Sequence, residues 1–299
     1  MDEINGSLDV AQNLLKDQFL NWAEIPLKPI NSSGSDNFLY RLGKDLIIRI
    51  PRHQAAAHQL KKECFWLEKI HKYSPIAIPE PVSIGRPNEY YPFYWSIYRW
   101  IEGETYSVDK FSNSEKAVES LVQFISYLQR IDIKGGPKPS KENNFRGVPL
   151  MIRDLKTREA INALPDFYSK TLMTEIWNFA LTAPAWNKRP VWIHGDLHWG
   201  NILTKGDKIV GVIDFGCLGV GDPANDIMSA WVLFSPLARQ KFREMLQIDK
   251  GTWIRGMGWA LSWAAVALPY YLPKHHILAD IAVFTIDNVI TDYQKNVFA

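Results

Sequence analysis

Two polar motifs in the second half of the chain, with a short apolar stretch between them, leave little choice of local structure. The first is His194-Gly195-Asp196-Leu197-His198-Trp199-Gly200-Asn201, and the second, Asp214-Phe215-Gly216, begins thirteen residues after Asn201. Ile202-Leu203 and Ile209 to Ile213 are short apolar runs separated by Lys205-Gly206-Asp207-Lys208. Runs of this kind about such a turn predict a hairpin. A hairpin would set Asn201 and Asp214 side by side at its open end. Two oxygen-bearing side chains held there suit a hard cation that keeps several waters.

Phosphoryl transfer needs this combination. In a His-x-Asp-x-x-x-x-Asn loop the Asp orients and deprotonates an acceptor hydroxyl, while the Asn and the Asp of Asp-Phe-Gly hold the magnesium ions that bridge nucleotide phosphates. Asp196 is therefore the candidate base, with Asn201 and Asp214 as candidate magnesium ligands. Either motif alone reads as a turn. A second chemistry is also open: His194, Asp196 and His198 alternate, and on a strand they would share a face and could bind a transition metal. The flanking Gly195 and Gly200 favour a loop.

The chain has 299 residues, 46% hydrophobic and 22% charged, enough for two lobes with substantial cores and inconsistent with global disorder. A net charge of +2 with scattered Lys and Arg gives no footprint for nucleic acid. Cys64 and Cys217 are far apart, as expected of reduced thiols in a cytoplasmic protein rather than of a disulfide framework. Met1 to Val10 carries Asp2, Glu3 and Asp9 and has no basic, apolar character of a secretory signal. The longest apolar stretch, Gly258 to Leu272, falls short of the roughly 20 residues that span a bilayer, so no membrane segment is expected. The oligomeric state leaves no mark on the sequence.

Periodicity divides the chain. Asp9 to Trp22 has a helical period. Phe38 to Leu42 and Leu46 to Ile50 flank Gly43-Lys44-Asp45 as antiparallel strands; His53 to His71 reads as a helix, and Val82 to Gly85 and Tyr94 to Ile101 as strands. Beyond the polar Glu102-Gly103-Glu104 the helical period returns at Ser114 to Ile131. Gly135 to Asn144 is expected to be an exposed loop with nothing to anchor it. Helices are expected at Thr157 to Leu164, Tyr168 to Ala183, Ile227 to Phe234, Leu237 to Leu246, Thr252 to Tyr271 and Ile277 to Val297. Ser33-Gly34-Ser35 can offer backbone N–H groups and hydroxyls to phosphate oxygens, or simply close a hairpin. Arg49 precedes Pro51 where a kinase carries a phosphate-contacting Lys, and Glu63 in the following helix is its expected partner. Arg keeps the charge but not the compact geometry of Lys.

Four blocks together resemble the aminoglycoside phosphotransferase family of small-molecule kinases, relatives of the protein kinases. They are Ile47-Ile48-Arg49-Ile50-Pro51-Arg52, Trp100-Ile101-Glu102-Gly103, Trp192 to Asn201, and Val212 to Gly216 with Gly221-Asp222-Pro223-Ala224-Asn225-Asp226. The resemblance implies an α+β, two-lobed protein-kinase-like fold: a small antiparallel-sheet lobe with one main helix over residues 1–101, and a larger, mainly helical lobe over 102–299. It implies ATP or GTP, with Mg2+, held by backbone groups of the hinge at Arg99, Trp100 and Ile101. The activity expected is transfer of the γ-phosphate to a hydroxyl of an aminoglycoside-like antibiotic. A macrolide-like antibiotic or an endogenous metabolite is the alternative acceptor, and a nucleotide-binding pseudokinase the alternative class, although no expected base or metal ligand is missing.

The acceptor is not named by the fold. A polycationic one would want acidic side chains. Asp280 and Asp287, seven apart on a helix, are candidates with Asp292 near them, and so is Asp226; solvation of a helix surface accounts for the first two equally well, and the N-terminal turn of a helix for Asp226. Trp253, Trp259, Trp263, Tyr270 and Tyr271 fit either a core or an apolar pocket.

Overall fold

The computed structural model describes residues 6–30, 36–274 and 276–295, and it divides into two compact units. The first comprises Met1–Glu102 with Val212–Gly216, the second Gly103–Gly211 with Cys217–Ala299. Ser33, Gly34 and Ser35 lie outside the described residues.

The first unit opens with α1 (Leu8–Gln18), whose apolar residues at helical spacing bury Ala11, Leu14 and Leu15. Strands β1 (Leu27–Pro29), β2 (Asn37–Leu42) and β3 (Leu46–Pro51) follow, then α2 (Gln54–Ile70), β4 (Pro81–Gly85) and β5 (Trp95–Arg99). The five strands form one antiparallel sheet in the order β1-β2-β3-β5-β4. Strand period decides what faces what. Leu46, Ile48 and Ile50 bury with Tyr40, Leu42, Trp95, Ile97 and the α1 residues in one cluster. Arg49, between them in β3, points to the opposite face. There α2 buries Leu60, Glu63, Cys64 and Leu67. β5 stops at Arg99, short of the expected Ile101, although the Trp100 N–H still donates in register to the Asp45 carbonyl at 2.8 Å.

The second unit begins with the short β6 (Glu104–Thr105) and α3 (Val108–Phe111), then α4 (Glu115–Arg130). Ser114 caps α4 by accepting from Ala117 N at 3.1 Å. Helices α5 (Asp154–Asn162) and α6 (Lys170–Leu181) lead to β7 (Val191–Ile193). The expected hairpin is formed by β8 (Ile202–Lys205) and β9 (Lys208–Val212), with Gly206 at φ 65° in the turn, and β6 extends its sheet. β10 (Gly219–Gly221) pairs antiparallel with β7. The helical stretch expected from Ile227 is broken into α7 (Ala224–Ile227) and α8 (Ser229–Leu233). α9 (Pro236–Met245), α10 (Lys250–Tyr271) and α11 (Ile277–Gln294) complete it. α10 is buried nearly all round, Trp253, Trp259 and Trp263 included, so this aromatic run is core rather than pocket wall. Tyr270 is exposed. No described helix is long and apolar enough to cross a membrane.

The segment from Gly135 to Asn144 is the expected loop, with Gly135, Lys138, Lys141, Glu142 and Asn144 exposed, but it is anchored. Asn143 is buried and its side chain anchors the segment, Oδ1 accepting from Ser140 N at 2.8 Å and Nδ2 reaching the Lys138 carbonyl at 3.5 Å. Gly136 packs closely on Val220 and Trp192. An Asn whose amide bonds the local backbone through both its oxygen and its nitrogen anchors a loop as an apolar residue would.

Candidate functional site

The motif around Asp196 occupies the loop between β7 and β8, and its shape is fixed from below. Asp226 in α7 is 1% exposed, and its two carboxylate oxygens accept from the backbone N–H groups of His194 at 2.7 Å and Gly195 at 2.9 Å. Asn225 adds a bond from Nδ2 to the Gly195 carbonyl at 3.2 Å. Gly195 is at φ 90°, and a Cβ there would lie 2.5 Å from the Cys217 carbonyl oxygen, so only glycine fits. With both oxygens spent on the loop, Asp226 does not face a substrate; that expectation is corrected, and it is a positioning residue. Burial pushes its carboxyl up to about 6, against the pull of those two N–H groups. α7 is itself held by Asp222, which accepts from Ala224 N at 2.9 Å and pairs with buried Arg255 at 2.7 Å.

Within the loop the side chains sort themselves by hydrogen bonding. His194 is fully buried, with Nδ1 accepting from Asp196 N at 3.2 Å. His198 Nδ1 accepts from Gly200 N at 3.2 Å, which puts the proton of a neutral ring on Nε2, 3.4 Å from Asp196 Oδ2. Neither ring is arranged with Asp196 as a metal ligand. Among the described residues no group of three or more His, Cys, Asp or Glu is placed to hold a metal, so the transition-metal reading falls. Asn201 Nδ2 donates to the Asp196 carbonyl at 3.0 Å; its Oδ1 has no hydrogen-bond partner among the described residues. That oxygen is available to a hard cation.

The Asp196 side chain is 23% exposed and sits between His198 and Arg146, whose Nη2 lies 2.8 Å from Oδ1. Burial alone would raise the Asp196 carboxyl. His198 and the Arg146 guanidinium outweigh it and hold the group well below the usual carboxylate range. Arg146 was not foreseen: it stands fifty positions upstream, on a loop whose local sequence carries no helical or strand period.

In the first unit Arg49 Nη1 meets Glu63 Oε1 at 2.7 Å, with Glu63 only 2% exposed. Burial would strip Arg49 of its proton, but Glu63 reverses this and the guanidinium stays charged. Glu63 also accepts from the backbone of Phe215, and Lys62 Nζ donates to the Gly216 carbonyl at 3.0 Å. These bonds, with Val212 N on the Ala77 carbonyl at 3.0 Å, tie the Asp214 segment to α2 and its neighbours. Asp214 is exposed and adopts φ 65°, a left-handed conformation that Asp tolerates better than most residues. At the end of β5 the Arg99 N–H is committed to the Glu80 carbonyl at 3.0 Å and Trp100 N to Asp45. The backbone N–H and C=O of half-buried Ile101 have no partner among the described residues. A nucleobase edge can pair with such groups.

The candidate acceptor-binding acids are less coherent. Asp280 and Asp287 are exposed on α11, Asp287 accepting from Tyr168 Oη at 3.0 Å. Asp292 is buried, 2.8 Å from Arg239 Nη2 and 3.0 Å from Trp231 Nε1. It is a structural ion pair, not a substrate contact.

The family model for phosphotransferase enzymes matches residues 27–262. No curated protein sequence matches the chain. Among solved structures, the GDP complex of wild-type aminoglycoside 2'-phosphotransferase-IIIa is 18% identical with a TM-score of 0.74, over 98% of this chain and 100% of that one. The GDP and kanamycin complex of an APH(2") enzyme is 21% identical with a TM-score of 0.71, over 96% and 99%. Macrolide 2'-phosphotransferase type I is 16% identical with a TM-score of 0.64, over 94% and 97%. These likenesses establish the two-lobed α+β fold.

Proposed function

The chain belongs to the aminoglycoside phosphotransferase family of phosphotransferase enzymes, and from that premise we propose that it moves the terminal phosphoryl group of ATP or GTP to a hydroxyl of a small molecule, with Asp196 as the base. The observation that carries this reading is the Asp196 loop: a partly exposed, charge-stabilised carboxylate in a backbone shape locked by Asp226, beside an Asn201 whose side-chain oxygen is free. Asn201 and Asp214 are assigned as magnesium ligands; an amide oxygen and a carboxylate, completed by water and phosphate, are the donors magnesium takes. A magnesium ion held by these two residues would supply positive charge to the phosphates. Arg49, fixed by Glu63, supplies a permanent cation for the nucleotide phosphates, and the free backbone groups of Ile101 are assigned to its base.

In the reaction the acceptor oxygen forms a bond to the terminal phosphorus while the bond to the bridging oxygen breaks, and the nucleoside diphosphate leaves with the electron pair. The hydroxyl proton passes to the Asp196 carboxylate. Because Asp196 is strongly acidic, it acts first as an acceptor that orients the hydroxyl and takes the proton late, which is enough for a reaction governed by positioning. The proposal covers the reaction and not an aminoglycoside acceptor: Asp226 and Asp292 are buried and engaged within the protein, which leaves only the exposed Asp280 and Asp287 of the acids considered. Replacement of Asp196 by Ala tests it: transfer should be lost with nucleotide affinity retained, and unchanged turnover would refute it.

A further inference from the structure

Two buried guanidiniums in the second unit, Arg146 and Arg153, repel each other, and only the first has carboxylates to answer its charge. Arg146 is 8% exposed, pairs with Asp196 through Nη2 and also feels Cys217 and the Asp226 charge, while its Nε is buried with no hydrogen-bond partner among the described residues. Arg153, which ends the helical turn Leu150–Arg153, is also 8% exposed. Its Nε donates to Ser262 Oγ at 2.9 Å and its guanidinium lies over Trp259, 4.6 Å from the ring centroid. No carboxylate among the described residues pairs with it. The adjacent Asp154 is committed elsewhere, to Arg158 at 2.9 Å and to Trp177 Nε1 at 2.7 Å.

Three cations therefore act on one another here. Burial and then the Arg146 charge pull Arg153 down to about 9. Burial, Arg153 and Arg146 together pull down Lys156, an exposed residue three positions further along in α5. A buried guanidinium without a counter-ion is destabilising, and two that repel each other are more so. The packing on Trp259 and the bond to Ser262 use one face and one N–H of Arg153. The remaining fork is the geometry that takes a carboxylate or phosphate through two parallel hydrogen bonds.

We propose that the acceptor is an anion: a small hydroxylated molecule whose carboxylate or phosphate group docks on Arg153 and Lys156 while its hydroxyl is presented to Asp196. This rests on the phosphotransferase reading of the Asp196 loop. The anion supplies the charge that the protein omits and relieves the repulsion between Arg146 and Arg153. A polycation would meet Arg153 and Lys156 as like charges. The nucleotide phosphates, the other source of such an anion, already have Arg49 assigned to them.

The test uses the full chain and the variants Arg153→Gln, Arg153→Lys and Lys156→Gln. Inorganic phosphate is titrated calorimetrically in the presence of a saturating magnesium complex of a non-hydrolysable ATP analogue, which fills all three nucleotide phosphate positions. Wild-type protein should bind phosphate, Arg153→Gln should weaken binding by about tenfold or more, and Arg153→Lys should retain part of it. Lys156→Gln, at an exposed position that does not endanger folding, should weaken it by a few-fold and keeps the test decisive if Arg153→Gln does not fold. Transfer from ATP is then compared for glucuronate, glucose and kanamycin, and glucuronate should be favoured, with its KM raised in both Gln variants and the KM for ATP unchanged. Absence of phosphate binding by the wild type, or equal binding by wild type and variants, overturns the proposal. So does a rise in the KM for ATP alone, which would assign these cations to the nucleotide. Transfer to kanamycin at rates indifferent to Arg153 and Lys156 overturns it while leaving the phosphotransferase reading intact. If instead phosphate binding depends on Arg153 but ATP turnover is indifferent to Asp196→Ala, the anion site stands and the phosphotransferase reading falls.

Discussion

Arg146 Nη2 lies 2.8 Å from Asp196 Oδ1, inside one unit of the fold. The pair keeps the carboxylate ionised and fixes its direction. Removing the carboxylate in Asp196→Asn should lower kcat by about 100-fold to 10,000-fold, the usual contribution of a positioned base, with the dissociation constant for nucleotide little changed. Arg146→Gln should lower kcat less, by about tenfold, because Asp196 then keeps only His198 beside it. Single-turnover kinetics alongside nucleotide titration separates the two effects.

The Arg49–Glu63 contact makes a different prediction. Glu63→Gln keeps the shape of the side chain but leaves Arg49 buried without its counter-charge, which should cost about 3 kcal/mol of stability. Arg49→Ala should instead raise the KM for nucleotide by about tenfold or more. Urea unfolding and initial-rate kinetics are the respective measurements, and a KM for nucleotide unaffected by Arg49→Ala would remove it from the phosphate site.

Asp226 gives a pH dependence with a definite sign. Its carboxyl is raised in the folded protein to about 6 from an unfolded value near 3.8. Between these values the folded state binds the extra proton, so this group makes stability fall as pH rises from about 4 to about 6, by on the order of 3 kcal/mol. Asp226→Asn should flatten that slope in a series of urea melts. It should also disturb the His194 and Gly195 amides, one of which loses a carboxylate acceptor, and so reduce transfer even at pH 7.

Arg239 and Asp292 are a buried pair in the second unit, 1% and 4% exposed. Asp292→Ala strands both Arg239 and the Trp231 N–H, and should destabilise the protein by about 3–5 kcal/mol. If Asp292 is structural, enzyme still folded at low temperature retains its KM for acceptor. A raised KM would return Asp292 to the acceptor site.

The parts of the site that were legible in the sequence are those held by short-range chemistry. The β8–β9 hairpin, the helix carrying Glu63 and the strand carrying Arg49 follow from period and turn residues, and Arg49 meets Glu63 because strand alternation turns it away from Ile48 and Ile50. Arg146 was invisible because its pairing is made across fifty positions by the tertiary fold. Asp226 was visible as an acid at the start of a helix, but the targets of its two oxygens were not. Asn143 shows the same limit: composition marked its segment as exposed, whereas an amide with its hydrogen bonds satisfied can be buried as firmly as a leucine.

The five residues Val212–Gly216 belong to the first unit although the chain on either side of them belongs to the second. The sheet unit is therefore not a contiguous length of gene. A fragment ending at Glu102 would leave Glu63 without the Phe215 amide and Lys62 without the Gly216 carbonyl. During synthesis the first unit cannot finish folding when its own hundred or so residues have emerged; it must wait for more than a hundred further residues to be translated.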